Sequence, residues 1–421
     1  MTKVGLPAAG WTLALVCLLV LAACAGEGEK EGASPSTETT VALGLSSSPT
    51  ASPEAGPLGA YVVDVADGRL TRLSTGEGYS VVSWSQDGNT LTLADGEVTG
   101  NQDIYSVNAD SSQLTLTSTV DGWVGQWSPA GRTIIRYEAG HNQGQYGLYV
   151  TSLGARQGQR VADGFLGMWS PDGQRIAFVG NFCDEAQDYV GLVKADGSGL
   201  VKLTDIVDAL QVGHAWSPDG RTLAFSAPDE AGVLQIYLAD AEGGQRVKLT
   251  VGPWPKMTPA WSADGSLLSF ASLEGEGPGA TSTHWVVSKE GGDATPLPAG
   301  IGYLQWSPRG QRLAFVKEGE LQLLDLEQRG EPADLAEVGA PQKVDFHWSP
   351  DGNRIAFLKQ GQLFVVGTDG SGEKQLTAET LLQPGGGGGQ PPAIDSIRWL
   401  PGDKKIAFAV VLPSVARGVC S

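Results

Sequence analysis

The chain has 421 residues, 41% of them hydrophobic, and a formal net charge of -19 from 47 acidic against 28 basic residues. That charge repels polyanions and leaves no basic stripe for phosphates, which excludes nucleic acid as a partner. Its 59 glycines, many in Asp-Gly and Gly-Gly pairs, favour short strands joined by tight turns over long helices.

Residues 1–23 read as a processing signal. Lys3 supplies positive charge, Trp11 to Val20 an apolar run too short to span a membrane, and Leu21-Ala22-Ala23-Cys24 closes it. Leu-Ala-Ala-Cys resembles the lipobox of bacterial lipoproteins, which implies that Cys24 is acylated and anchors the exported protein. Residues 24–58 are Gly, Glu, Ser, Thr and Pro with hardly an apolar cluster, and so read as a flexible tether.

From residue 59 to 413 one pattern repeats. SWSQDGNTLTL, QWSPAGRTIIR, MWSPDGQRIAF, AWSPDGRTLAF, AWSADGSLLSF, QWSPRGQRLAF, HWSPDGNRIAF and RWLPGDKKIAF carry Trp84, Trp127, Trp169, Trp216, Trp261, Trp306, Trp348 and Trp399. The tryptophans are 42 to 51 residues apart, the period of a four-stranded propeller blade. Ser-Pro-Asp-Gly suits a type I turn, so each segment is a hairpin whose first strand ends on Trp. The strand after the turn alternates large and small residues, as in Ile176-Ala177-Phe178, which fits stacking on both faces and makes the Trp a wedge between blades. A second hairpin follows in each interval, as at Gln235 to Thr250. The hairpin at Tyr61 to Leu73 has no Trp hairpin before it, and the one at Trp399 has no outer hairpin after it. Pairing these two closes a ring. The fold class expected is all-β, an eight-bladed β-propeller, with seven blades as the alternative, followed by a tail at 414–421.

These residues resemble the repeats of TolB-like propellers, also found in the propeller domains of prolyl oligopeptidases and dipeptidyl peptidases. The resemblance covers about residues 60 to 412 and implies an envelope protein. TolB itself pairs six blades with an N-terminal α/β domain, and this sequence matches neither.

The recurrent Asp of the repeat reads as turn chemistry and not as a metal ring, since Ala130 and Arg309 stand in its place in two repeats. Neither G-x-S-x-G nor HExxH occurs, and His141, His214, His284 and His347 fall in different repeats. No catalytic residue, metal site or cofactor is assigned. Tyr79, Trp123, Phe165, Trp254 and Tyr303 each precede a repeat Trp by three to seven residues, on the face opposite the Ser-Pro-Asp-Gly turns. They form a candidate aromatic binding platform or, alternatively, cap the core beneath the loops. Cys183 and Cys420 remain after processing and make a candidate disulfide. The glycine-rich stretch 384–392 lengthens a loop on the same face. The expected function is that of a monomeric, lipid-anchored scaffold binding an envelope protein, peptide or glycan outside the cytoplasmic membrane. The alternative is a hydrolase or lyase acting on polysaccharide or peptide at the channel mouth.

Overall fold

The computed structural model describes residues 58–74, 80–84, 90–95, 102–108, 115–120, 122–139, 146–152, 154–155, 157–180, 188–205, 213–275, 280–328, 330–339, 345–382 and 392–411. Strands β1 (Gly59–Asp64) and β2 (Leu70–Arg72) form the first hairpin. The Trp84 sheet comprises β3 (Ser80–Trp84), β4 (Thr90–Asp95), β5 (Gln102–Asn108) and β6 (Thr115–Val120). Strands β7 (Trp123–Trp127), β8 (Thr133–Ala139), β9 (Tyr146–Ser152), β10 (Gln159–Trp169), β11 (Arg175–Gly180), β12 (Tyr189–Lys194) and β13 (Val201–Asp205) share one seven-stranded sheet. The Trp216 sheet has β14 (His214–Trp216), β15 (Thr222–Pro228), β16 (Leu234–Asp240) and β17 (Arg246–Lys248). The Trp261 sheet has β18 (Lys256–Trp261), β19 (Leu267–Glu274), β20 (Thr281–Ser288) and β21 (Thr295–Pro296). The Trp306 sheet has β22 (Ile301–Trp306), β23 (Arg312–Lys317), β24 (Glu320–Asp325) and β25 (Ala333–Glu337). The Trp348 sheet has β26 (Phe346–Trp348), β27 (Arg354–Lys359), β28 (Gln362–Gly367) and β29 (Lys374–Gln375). Last, β30 (Ala393–Trp399) and β31 (Lys405–Val411) join the first hairpin in the order β2-β1-β31-β30. There β1 runs antiparallel to β31 from Gly59 opposite Val410 to Asp64 opposite Lys405.

The architecture is that of a β-propeller, all-β among the described residues apart from short turns such as the 3₁₀ turn Glu379–Leu382. One feature of it is unmarked in the sequence. The outer hairpin of the Trp127 repeat does not end in a loop, because β10 runs on unbroken from the outer position beside β9 to the inner position beside β11. Gly164 permits this crossing: a Cβ there would lie 2.4 Å from the Val179 carbonyl oxygen.

The turns behave as their composition demands. The N–H of Gly173 donates to Ser170 O at 2.8 Å, and Gly173 has φ of 69°, where a side chain would be strained. Asp172 Oδ1 accepts from Ser170 Oγ at 2.5 Å and from the Gln174 N–H at 3.0 Å, and the same set recurs around Asp219, Asp264 and Asp351. Consecutive turns also touch. Cβ atoms on Gly173, Gly220 and Gly265 would lie 3.4 to 3.6 Å from Pro129, Pro171 and Pro218 of the preceding turns, so these turns share one face.

The repeat tryptophans wedge between sheets and also relay. Trp169 Nε1 donates to Gln126 O at 3.3 Å, Trp216 to Met168 O at 3.2 Å and Trp261 to Ala215 O at 3.1 Å. Trp306 donates to Ala260 O at 3.2 Å, Trp348 to Gln305 O at 3.4 Å and Trp399 to His347 O at 2.9 Å. Every acceptor is the residue just before the previous repeat Trp, so each indole ties its inner strand to the one before it. Between the sheets lie the fully buried Phe178, Phe225, Phe315, Phe357 and Phe408 of the second strands. Each contributes about 1.5 to 3 kcal/mol of burial.

Candidate binding face on the inner wall

Every Trp-bearing strand except β10, which continues into the middle of the seven-stranded sheet, is a sheet edge, and the indole relay sets these strands side by side as an inner wall. The mouth half of that wall is irregular. Bulges interrupt β3, β7, β10, β18, β22 and β30 ahead of the Trp. At three of them the third residue before Trp is a non-glycine in the left-handed region, Leu166 at φ 54°, Thr258 at 50° and Ser396 at 58°. Left-handed backbone costs a non-glycine residue about 1 to 2 kcal/mol, and bulges re-aim the side chains beside them.

What these positions carry divides the wall in two. Three residues before the repeat Trp stand Val81, Val124, Leu166 and Gly213 in the first four repeats and Thr258, Tyr303, Asp345 and Ser396 in the last four. Leu166 and Met168 pack against the core between the Trp169 and Trp216 sheets. In the second sector Asp345 Oδ1 lies 2.9 Å from His347 Nε2, and Gln305 Nε2 donates to Tyr303 Oη at 2.7 Å and to Phe346 O at 2.9 Å. Arg398 is exposed with Nη1 donating to Ile397 O at 2.8 Å, and Ser396 Oγ donates to Asp395 Oδ2 at 3.1 Å. Among the described residues, no three His, Cys, Asp or Glu side chains converge as a metal-ligand set.

The five aromatics of the expected platform have different fates. Phe165 is 1% exposed, its ring centroid 4.9 Å from that of Tyr137 and 5.9 Å from that of Tyr146. It therefore caps the core, because the loop-free passage of β10 lays it flat between sheets. Trp254 is half-buried in the connection from β17 to β18, and its carbonyl accepts from Lys256 Nζ at 2.9 Å. Tyr303 is half-buried, edge-on to Phe346 with centroids 5.3 Å apart. Trp123 begins β7, while Tyr79, Cys24, Cys183 and Cys420 lie outside the described residues.

Two basic groups on inner strands gave no signal beyond being polar in an apolar register. His214 is 8% exposed at the position that Leu304, Phe346 and Ile397 fill in later sheets. Its ring faces the Leu166 and Ala177 carbonyls without closing a hydrogen bond of good geometry, and burial pulls its pKa down to about 4. Lys256 is also buried, and desolvation lowers its pKa against the opposing pull of Glu274. Burial lowers His284 in the same way.

No protein-family profile matches the chain. It is 51% identical over 63 residues to the uncharacterized peptidase YuxL of Bacillus subtilis (strain 168), covering 15% of this chain and 9% of that protein. It is 30% identical over 87 residues to the Tol-Pal system protein TolB of Alcanivorax borkumensis, covering 21% of this chain and 20% of that one. The matched segments thus span a fifth or less of these relatives. Among solved structures, oligogalacturonate lyase from Vibrio parahaemolyticus superposes with a TM-score of 0.50 at 14% identity, covering 74% of this chain and 96% of the lyase, a likeness of fold alone.

Proposed function

We propose that this chain is an exported β-propeller of eight blades, closed by its first and last hairpins, that works as a binding scaffold at the cell envelope. Cys24 carries the lipid, residues 24–58 tether the propeller, and the mouth of the inner wall receives a protein, peptide or glycan. The observation that carries this reading is a segregation of polarity three residues ahead of the Trp: exposed or half-buried Thr258, Tyr303, Asp345 and Ser396 stand in one sector where Val124, Leu166 and Gly213 stand in the other, while the residue just before the Trp is polar in both, as at Gln126, Gln305, His347 and Arg398. A merely structural repeat has no use for polar groups there, and binding surfaces combine such hydrogen-bonding groups with aromatic anchors. Cys183 and Cys420 are proposed to pair, since an exported chain favours disulfides.

The test is site-specific photo-crosslinking in the native envelope, with the reactive residue at Thr258 or Arg398 and, as control, at Arg221 beside a turn. Partner adducts are expected from the first two sites alone. Adducts from Arg221 only, or from none of the three, would refute the assignment of the mouth. Cys24→Ser should move the protein from the membrane fraction to the soluble one.

A further inference from the structure

The tip of the connection from β17 to β18 reads Val251-Gly252-Pro253-Trp254-Pro255, without a polar side chain. Yet it faces solvent. Val251 is 76% exposed, Pro253 is exposed and Trp254 is half-buried.

The loop is held in this state from behind by two buried polar side chains. Gln235 donates Nε2 to Gly252 O at 2.8 Å and accepts from Thr250 Oγ1 at 3.0 Å. Thr250 Oγ1 in turn accepts the Ile236 N–H at 2.9 Å. Lys256, 9% exposed, donates Nζ to Trp254 O at 2.9 Å and to Ser272 Oγ at 3.1 Å. Taking an ammonium group out of water is costly, and here it serves to fix a backbone carbonyl. Two prolines restrict the rest. The outcome is an apolar tip whose ordering entropy is already spent, which is what makes a docking element efficient.

We propose that residues 251–255 are a preformed docking element for a basic polypeptide segment, with Val251, Pro253 and Trp254 as its apolar anchor and Lys256 as its positioning residue. The charges select this partner. Asp229 and Glu230 lie on the adjoining loop and Glu274 on the neighbouring sheet, against Lys248, which Glu230 engages at 2.9 Å, Arg246 on the same strand as Lys248, and Lys256 behind the tip. Because the chain as a whole carries a net charge of -19, a cationic segment is steered in, and an anionic lipid surface is repelled. The proposal rests on the mouth face being the one that receives a partner.

The experiment uses the full chain carrying Cys24→Ser and two synthetic peptides with the same aliphatic and proline core, one flanked by Lys and Arg, the other by Asp and Glu. Calorimetry should show the basic peptide binding, weakening at high ionic strength, with the acidic peptide at least about tenfold weaker. Val251→Ser, an uncharged surface change that leaves the core intact, and Trp254→Ala should each weaken the basic peptide about tenfold or more. Lys256→Met should weaken it several-fold and speed amide exchange at Trp254, a change that Val251→Ser does not produce. Absence of basic-peptide binding, equal binding of the acidic peptide, undiminished binding by Val251→Ser, or binding to phosphatidylglycerol vesicles in its place would each overturn the proposal. Photo-crosslinks at Thr258 together with any of these would leave the mouth assignment standing and remove only this partner.

Discussion

The inner wall is built from one repeat but has two characters. In the first four repeats the residues ahead of the Trp are Val81, Val124, Leu166 and Gly213, and where their surroundings are described they turn into the core. In the last four, Thr258, Tyr303, Asp345 and Ser396 stand at the same register and keep hydrogen-bonding groups accessible. The connections do not follow that division. The chain passes from β6 to β7 in two residues and through β10 with no loop, but it takes seven from β2 to β3 and eight from β13 to β14, as many as from β17 to β18 and from β25 to β26. The repeats supply the scaffold, and the two sectors differ in the side chains three residues ahead of the Trp.

Core truncation should separate the sectors most. Phe165→Ala in the apolar sector is expected to cost about 3 to 5 kcal/mol by denaturant unfolding, because it leaves a cavity between Tyr137 and Tyr146. A loss under about 1 kcal/mol would show that the ring is not core.

The second largest effect depends on pH. The folded pKa of His214 is lowered to about 4 from 6.5, so between those values the unfolded chain binds more protons than the folded one. Stability is fully present above about pH 6.5 and falls by about 3 kcal/mol as pH drops to 4. His214→Leu, the residue type used at this register at Leu304, should flatten that slope. A slope left unchanged would mean that His214 is not its source.

Smaller differences should come from the relay. Trp399→Phe removes a 2.9 Å bond to the His347 carbonyl and is expected to cost about 1 to 2 kcal/mol, leaving a buried acceptor unpaired. Trp127 Nε1 has no partner among the described residues, so Trp127→Phe should cost less than Trp399→Phe. Equal losses would break the contrast between these two seams. Thr258→Ala, exposed in the polar sector, should stay within about 0.5 kcal/mol.

The sequence by itself determined the repeat, the turn chemistry and the two hairpins that meet. Each is carried by local rules: Pro and Gly fix φ, and strand alternation fixes which side is buried. Pairing of β1 with β31 was legible because an orphan hairpin stood at each end. Which aromatics face solvent was not legible: Phe165 and Trp254 precede their tryptophans by four and seven residues, yet one lies within the loop-free strand β10 and the other on a pinned loop. The tertiary structure also decided that His214 and Lys256 are buried and that six indole N–H groups reach the neighbouring strand. Burial and cross-sheet distance depend on how sheets stack, and no spacing along one strand encodes that.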